Sequence, residues 1–297
     1  MGRLYAIADI HLSYPKNQQG WADLQTHPND ALILAGDCGE KPEHLEMAFS
    51  AAVAKFAQVF WVPGNHELYT TPRASSQAKG EAKYHECVSV ARRFGVLTPE
   101  DEWAVWEGEG GPAVIALCFT LYDYTFRPAE IQSTEEALAW AEEENIKATD
   151  EVLLYHEPYP SREAWCEALV AGFEKRLQET RSKYADMPLV VVNHWPLRED
   201  LVWIPRIPRF SLWCGTKKTE DWPKRFKANV VVTGHLHVRR TDWKEGIRYE
   251  EVSLGYPGQW QEAKDCGQDI NTLLREILPG PKEPVGGSAP TQFRRYG

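Results

Sequence analysis

Five apolar runs in this chain each stop at side chains that bind metal ions, and this recurrence restricts the fold more than any other feature. The clearest is Val230-Val-Val-Thr233, followed by Gly234-His235-Leu236-His237. Branched apolar residues suit a strand buried on both faces, and the glycine lets the backbone turn at its end. His235 and His237 sit two apart, so both imidazoles can project towards one point. The other four runs are Leu4–Ala8 before Asp9-Ile10-His11, Ala31–Ala35 before Gly36-Asp37, Val59–Val62 before Pro63-Gly64-Asn65-His66, and Leu189–Val192 before Asn193-His194. Any one of these ends could be an ordinary turn. Together they predict parallel strands whose carboxyl-end loops converge on one site.

Helical spacing fills the intervals. Pro42 opens a helix with Leu45, Phe49, Ala52, Val53 and Phe56 on its apolar side, and further helices are expected near Lys79–Phe94, Glu130–Asn145 and Arg162–Tyr184. A hairpin is expected from Arg239–Trp243 and Arg248–Leu254 across Glu245-Gly246, then a last helix over Gln268–Leu278. The alternation implies an α/β chain. With no linker or repeat, residues 1–278 read as one domain and the Pro- and Gly-rich residues 279–297 as a flexible tail. Arg198–Lys227 has no sustained period and bends at Trp203, Pro205, Pro208 and Trp213, and a loop of that length is usually functional.

Composition excludes several classes. There is no apolar run near the roughly 18 residues of a membrane span, and no secretory leader pattern at the N-terminus. The six cysteines are scattered without a CxxC pair, which reads as reduced thiols in a cytoplasmic protein. A net charge of −10 argues against a nucleic-acid partner. Yet Arg198–Lys244 holds eleven Lys and Arg against five Asp and Glu, a local basic bracket around the double-histidine turn that would attract an anionic partner. His27, His44, His85 and His156 lack the strand-end setting and read as ordinary histidines.

Two carboxylates (Asp9, Asp37), four imidazoles (His11, His194, His235, His237) and the Asn65 amide are too many ligands for one four-coordinate ion. They suit two ions sharing a carboxylate, with Mn, Fe or Zn favoured over Ca or Mg by the nitrogen donors. Ions about 3.5–4 Å apart can hold a hydroxide at neutral pH and clamp a phosphoryl group during in-line displacement. His66 is then a spare imidazole, placed to give a proton to the leaving oxygen or to offset charge.

The order Asp-x-His, Gly-Asp, Gly-Asn-His-Glu, His, Gly-His-x-His over residues 9 to 237 resembles the calcineurin-like metallophosphoesterases. That resemblance implies a four-layer sandwich of two mixed β-sheets flanked by helices. It also implies Asp9, His11, Asp37 and His237 on one metal, Asp37 bridging, Asn65, His194 and His235 on the second, and His66 beside the phosphate as the acid.

Departures from the family narrow the substrate. Protein phosphatases of this superfamily carry Gly-Asp-x-x-Asp-Arg-Gly and an arginine before Gly-Asn-His, where this chain has Gly36-Asp37-Cys38-Gly39-Glu40-Lys41 and Pro63. Purple acid phosphatases place a metal-binding tyrosine at the position of Glu40. Without the two guanidiniums that clamp a monoester dianion, the site leans towards diesters, unless Arg198, Arg206 or Arg209 folds over it.

Leu121-Tyr-Asp-Tyr124, Ala148-Thr-Asp-Glu151, Glu157-Pro-Tyr-Pro160, Phe210-Ser-Leu-Trp-Cys-Gly-Thr216 and Glu250-Glu-Val-Ser-Leu-Gly-Tyr-Pro257 are similar to the actinobacterial 4′-phosphopantetheinyl hydrolases. That narrower resemblance implies hydrolysis of the phosphopantetheine–serine diester on an acyl carrier protein. The alternative is a phosphatase or cyclic-nucleotide phosphodiesterase acting on a small metabolite.

Overall fold

A computed structural model describes residues 2–72, 74 and 76–294. The strand-forming runs become β1 (Leu4–Ile7), β2 (His27–Leu34), β3 (Phe56–Trp61), β4 (Val105–Trp106), β5 (Ala113–Leu117), β6 (Leu189–Val192), β7 (Val230–Thr233), β8 (Arg240–Lys244), β9 (Ile247–Glu251), β10 (Arg275–Leu278) and β11 (Ala289–Phe293). They form two mixed sheets, one ordered β10-β1-β2-β3 and the other β11-β8-β9-β7-β6-β5-β4. In the first, β1, β2 and β3 run parallel. In the second, β5, β6, β7 and β9 do. All five strands that end in ligand-type residues therefore belong to parallel sets, so their carboxyl ends can share one rim.

The sheets meet at that rim. Just past β1, Ala8 donates its N–H to Val252 O (3.0 Å) and accepts from Leu254 N–H (2.8 Å), which ties the end of β1 to the chain leaving β9. One contiguous apolar cluster includes Ile7 and Ile33 from the first sheet and Val190 and Val231 from the second.

Helices flank the sheets. They are α1 (Pro15–Ala22), α2 (Pro42–Lys55), α3 (Gly80–Arg93), α4 (Thr134–Glu142), α5 (Asp150–Leu153), α6 (Arg162–Lys183), α7 (Trp222–Arg225), α8 (Pro257–Asp265) and α9 (Ile270–Leu273). Along α6, Trp165, Phe173 and Leu177 are buried and Leu169 is half-buried, and Trp165 meets Phe119 edge to face at 5.6 Å. Among the described residues, no helix is long and apolar enough to cross a membrane.

Two expectations require correction. The final helix over Gln268–Leu278 is instead the short α9 followed by β10, which pairs antiparallel with β1. Pairing satisfies the open edge of β1, an outcome that local apolar spacing cannot encode. The segment after Pro279, expected to lack regular structure, contains β11, antiparallel to β8 with Phe293 opposite Arg240. The loop from Arg198 holds short 3-10 turns at Glu199–Leu201, Pro208–Trp213 and Lys217–Thr219 ahead of α7, in keeping with its lack of a sustained period. All six cysteines are free thiols, and five are buried.

Candidate metal centre

Three of the five strand ends, after β1, β2 and β7, place their side chains through a backbone that few residues adopt. Asp9, His11, Asp37, His235 and His237 all have positive φ, between 41° and 74°. Non-glycine residues in this region cost energy, and they cluster where geometry serves a site. The turns interlock: Asp9 N–H donates to Gly36 O (2.9 Å) and His11 N–H to Asp37 O (3.0 Å). Two glycines are required by close approach. A Cβ on Gly64 would lie 2.2 Å from Asp37 Oδ1, and one on Gly234 would lie 2.5 Å from Asp9 Oδ2.

The structure brings all eight sequence-predicted residues into one neighbourhood. Asp9, His11 and His237 form one group of potential ligand atoms, His11, Asp37 and His66 a second, and Asp9, Asp37 and His194 a third. The Nε2 atoms of His11 and His237 lie 3.1 Å apart, with Asp9 Oδ1 2.9 Å from His237 Nε2. Asp37 Oδ2 is 3.5 Å from His194 Nε2 and 3.8 Å from His66 Nε2, so this carboxylate lies between the two halves of the site. Asn65 and His235 face the same cleft.

The orienting contacts determine which atoms point inward. His194 Nδ1 donates to Ala35 O (2.8 Å), and His237 Nδ1 donates to Gln259 Oε1 (2.9 Å), leaving each Nε2 to the site. The Asn65 amide nitrogen donates to Tyr69 Oη (2.9 Å) and Asp150 Oδ1 (3.0 Å), which turns its oxygen inward. Among the described residues, Asn65 Oδ1, His194 Nε2 and His235 Nε2 are buried without a hydrogen-bond partner. Three orphaned lone-pair atoms among buried carboxylates are costly as they stand. Bound cations would satisfy them, so the donor set fits a metal centre.

The carboxylates divide the ligand imidazoles into two kinds. Burial and the neighbouring His66 charge lower the His11 pKa to about 3, and burial with the His194 charge lowers His235 to about 3, so both are neutral, the form that ligates metal. Against burial, the Asp37 charge raises His194 to about 10 and the Asp9 charge raises His237, so these two would give up a proton on binding a cation. Burial alone would raise Asp9 and Asp37, but the histidines around them outweigh it and hold both ionised. Against burial, the Asp37 charge and the hydrogen bond to Glu40 raise His66 to about 9.

Three contributors were not legible as site residues. Glu67 accepts from the backbone N–H groups of Asp37 (3.0 Å), Cys38 (2.5 Å) and Gly64 (2.8 Å), joining two ligand loops. Burial and the nearby Asp37 charge push it up to about 7. Its place two residues after Asn65 was the available signal. Asp150, which orients Asn65, comes from 85 residues away. Ser253, beyond β9, donates to Asp9 Oδ2 (2.6 Å).

A cleft of about 340 Å³ opens on this centre, walled partly by Ile207 and Phe210 from the long loop and by Tyr256. Arginine is absent from its described lining, where Lys147 is the sole Lys or Arg and is paired with Glu142 at 2.9 Å. Arg198 instead pairs with Asp200, and Arg209 with Glu143 and Glu144. Lys217 and Lys218 pair with Glu199 and Asp123 and line a separate hollow beside α6. Much of the basic bracket is thus paired with acidic side chains of the same chain.

The chain belongs to the calcineurin-like phosphoesterases, whose family model matches residues 2–239. It is a metal-dependent hydrolase of phosphoric esters, and the two mixed sheets with flanking helices are the fold of that family. Over 284 residues, 95% of this chain and 85% of the relative, it is 43% identical to acyl-carrier-protein phosphodiesterase PptH of Mycobacterium tuberculosis (strain ATCC 25618 / H37Rv). The crystal structure of phosphopantetheinyl hydrolase PptH from Mycobacterium tuberculosis matches with a TM-score of 0.87 at 43% identity, covering 94% of this chain and 97% of that one.

Proposed function

We propose that this protein is a phosphodiesterase that hydrolyses the 4′-phosphopantetheine–serine linkage of acyl carrier proteins. The observation that carries the reading is the cleft itself: a metal-type donor set with no arginine among its described lining residues. A diester bears one charge less than a monoester dianion and does not need a guanidinium clamp. The similarity to PptH over nearly the whole chain supplies the substrate class.

Asp9, His11, Asp37 and His237 would hold one cation, and Asn65, His194 and His235 with a shared Asp37 would hold the other. The nitrogen-rich donors favour Mn or Fe, with Zn acceptable. When bound, such a pair supplies a nucleophile from water at neutral pH and offsets charge on the phosphoryl oxygens. His66, held by Glu40 at 2.9 Å, carries a proton at Nε2 and gives it to the serine oxygen as the P–O bond to serine breaks. The products are the free seryl protein and 4′-phosphopantetheine.

Mass spectrometry of holo carrier protein incubated with Mn-loaded enzyme tests this. The expected result is apo protein, lighter than the holo form by one phosphopantetheine arm, with activity abolished by chelation and restored by Mn. Intact holo protein, with a generic monoester turned over at comparable efficiency, would overturn it in favour of a small-metabolite phosphatase.

A further inference from the structure

Beside the metal cleft lies a larger cavity of about 650 Å³ that no motif points to. The two share His237, Tyr256 and Gln259, so a molecule with its phosphate at the metal centre can extend into the second space without leaving the protein. Its walls come from three distant parts of the chain: Trp203 in the long loop, α8, and Phe293 on β11. The Trp203 and Phe293 rings lie 4.7 Å apart and are 47% and 49% exposed. Paired exposed aromatics beside a reactive centre commonly mark a binding surface rather than a packing surplus.

The polar groups of the wall indicate what fits. Three charged side chains line it: Arg206, Arg239 and Glu262. Arg239 is buried and donates to Leu254 O, whereas neither Arg206 nor Glu262 has a side-chain ion-pair or hydrogen-bond partner among the described residues. With Arg239 committed to the backbone, the charges left to a ligand are one of each sign, and they do not select an anion. The cavity's aromatic faces, with one donor-rich and one acceptor-rich side chain at hand, suit an uncharged chain carrying amide groups. Phe293 also lies beyond residues 2–239, the part shared with the family at large.

We propose that this cavity is the subsite for the neutral, amide-bearing arm of the diester substrate, with Trp203 and Phe293 as its specificity-determining walls. The inference rests on the proposed carrier-protein activity and assigns the arm, rather than the protein part of the substrate, to this place. Amide planes lie over the two rings, while Arg206 donates to arm carbonyls and Glu262 accepts from arm N–H groups.

The test uses full-length, Mn-loaded Trp203→Ala and Phe293→Ala, with Trp203→Phe as the conservative variant. Three substrates are compared: holo carrier protein, a short phosphopantetheinylated serine peptide, and bis(p-nitrophenyl) phosphate, which has no arm. Each alanine variant is expected to raise KM about tenfold for the first two substrates, as loss of one aromatic anchor does. Turnover of the armless diester stays within about twofold, Trp203→Phe recovers most of the loss, and inhibition by 4′-phosphopantetheine weakens in parallel. A KM rise for the carrier protein but not the peptide would overturn the arm assignment in favour of protein docking. Equal losses on all three substrates, or none on any, would also overturn it. If the wild-type enzyme leaves both holo protein and peptide uncut while cleaving the armless diester, the carrier-protein reading itself has failed.

Discussion

His66 Nδ1 lies 2.9 Å from Glu40 Oε1, and this contact holds the ring with its other nitrogen 3.8 Å from Asp37 Oδ2. The ring is also fixed from its backbone, where His66 N–H donates to Asp37 Oδ1 (2.9 Å). An imidazole so restrained contributes chemistry at one nitrogen only. His66→Asn should therefore retain its metal but lower kcat, most steeply for alkyl leaving groups that need a proton, by about 10²–10⁴-fold. A plot of log kcat against leaving-group pKa checks it: the slope should steepen in the variant. Parallel lines would remove His66 from the proton path. Glu40→Gln keeps an acceptor oxygen but loses the charge, so its effect should be in the same direction and smaller.

Asp37 faces both halves of the site, since its carboxylate approaches His194 on one side and His66 on the other. Asp37→Asn removes the charge shared between the proposed ions. Even changes outside the ligand shell cost about 10–100-fold at metal sites, so activity should fall by at least that much and bound metal should drop towards one ion per chain. Elemental analysis beside kinetics checks this. Full metal content with unaltered turnover would place the shared ligand elsewhere.

Glu67 joins the Gly36-Asp37-Cys38 and Pro63-Gly64-Asn65 turns through three backbone N–H donors. Hydrogen bonds to a charged acceptor contribute about 1.5–3 kcal/mol each. Glu67→Gln leaves one oxygen and sets an NH₂ group against the remaining donors. Metal affinity should fall, and thermal unfolding of the metal-free protein should move down by several degrees. If denaturation midpoints match wild type, the two turns are held by other contacts.

These residues mark the limit of what the chain discloses in one dimension. Asp9, Asp37, Asn65, His194 and His235 were legible because strand and ligand are close in sequence: an apolar run of four or five residues ends, and the ligand follows within three residues. Asp150 was not, because its relation to Asn65 spans 85 residues and depends on how α5 packs. β10 was misread as helix because Leu273, Leu274 and Ile277 have helical spacing, while its real partner is the free edge of β1. α8 was missed because Trp260 and Ala263 are its only buried residues. Nor does charge composition reveal pairing. Within the basic bracket, Arg198 pairs with Asp200, Arg209 with Glu143 and Glu144, and Lys218 with the buried Asp123.

Asp150 provides a prediction that separates orientation from ligation. Its carboxylate and Tyr69 Oη hold the Asn65 amide so that the oxygen, not the nitrogen, faces the centre. Asp150→Ala leaves every proposed ligand in place but frees the amide to flip. Affinity at the Asn65 side should weaken about 10–100-fold, with activity recovered at high Mn. Asp150→Asn should be less damaging than alanine, as it still offers an oxygen to the amide. Metal titration of the two variants checks the order, and a reversed order would mean that charge at position 150, not orientation, supports the site.

Lys217 and Lys218 decide whether the basic bracket steers an acidic protein or serves the fold. Lys218 Nζ lies 2.9 Å from Asp123, a carboxylate that is buried and also accepts from Thr125 and Thr216. Lys218→Glu would set a second carboxylate against it, and a like-charge contact at a buried acid costs more than an exposed pair contributes. Lys217 meets the more exposed Glu199 at 3.1 Å. Both lie outside the lining of the metal cleft. Lys218→Glu should therefore lower the melting temperature while KM for holo carrier protein changes less than about twofold, and Lys217→Glu should alter neither by much. Thermal melts and Michaelis–Menten analysis of the two single variants check this. A large KM rise with an unchanged melting temperature would restore these lysines as a docking surface, because only contact with the partner could then account for the loss.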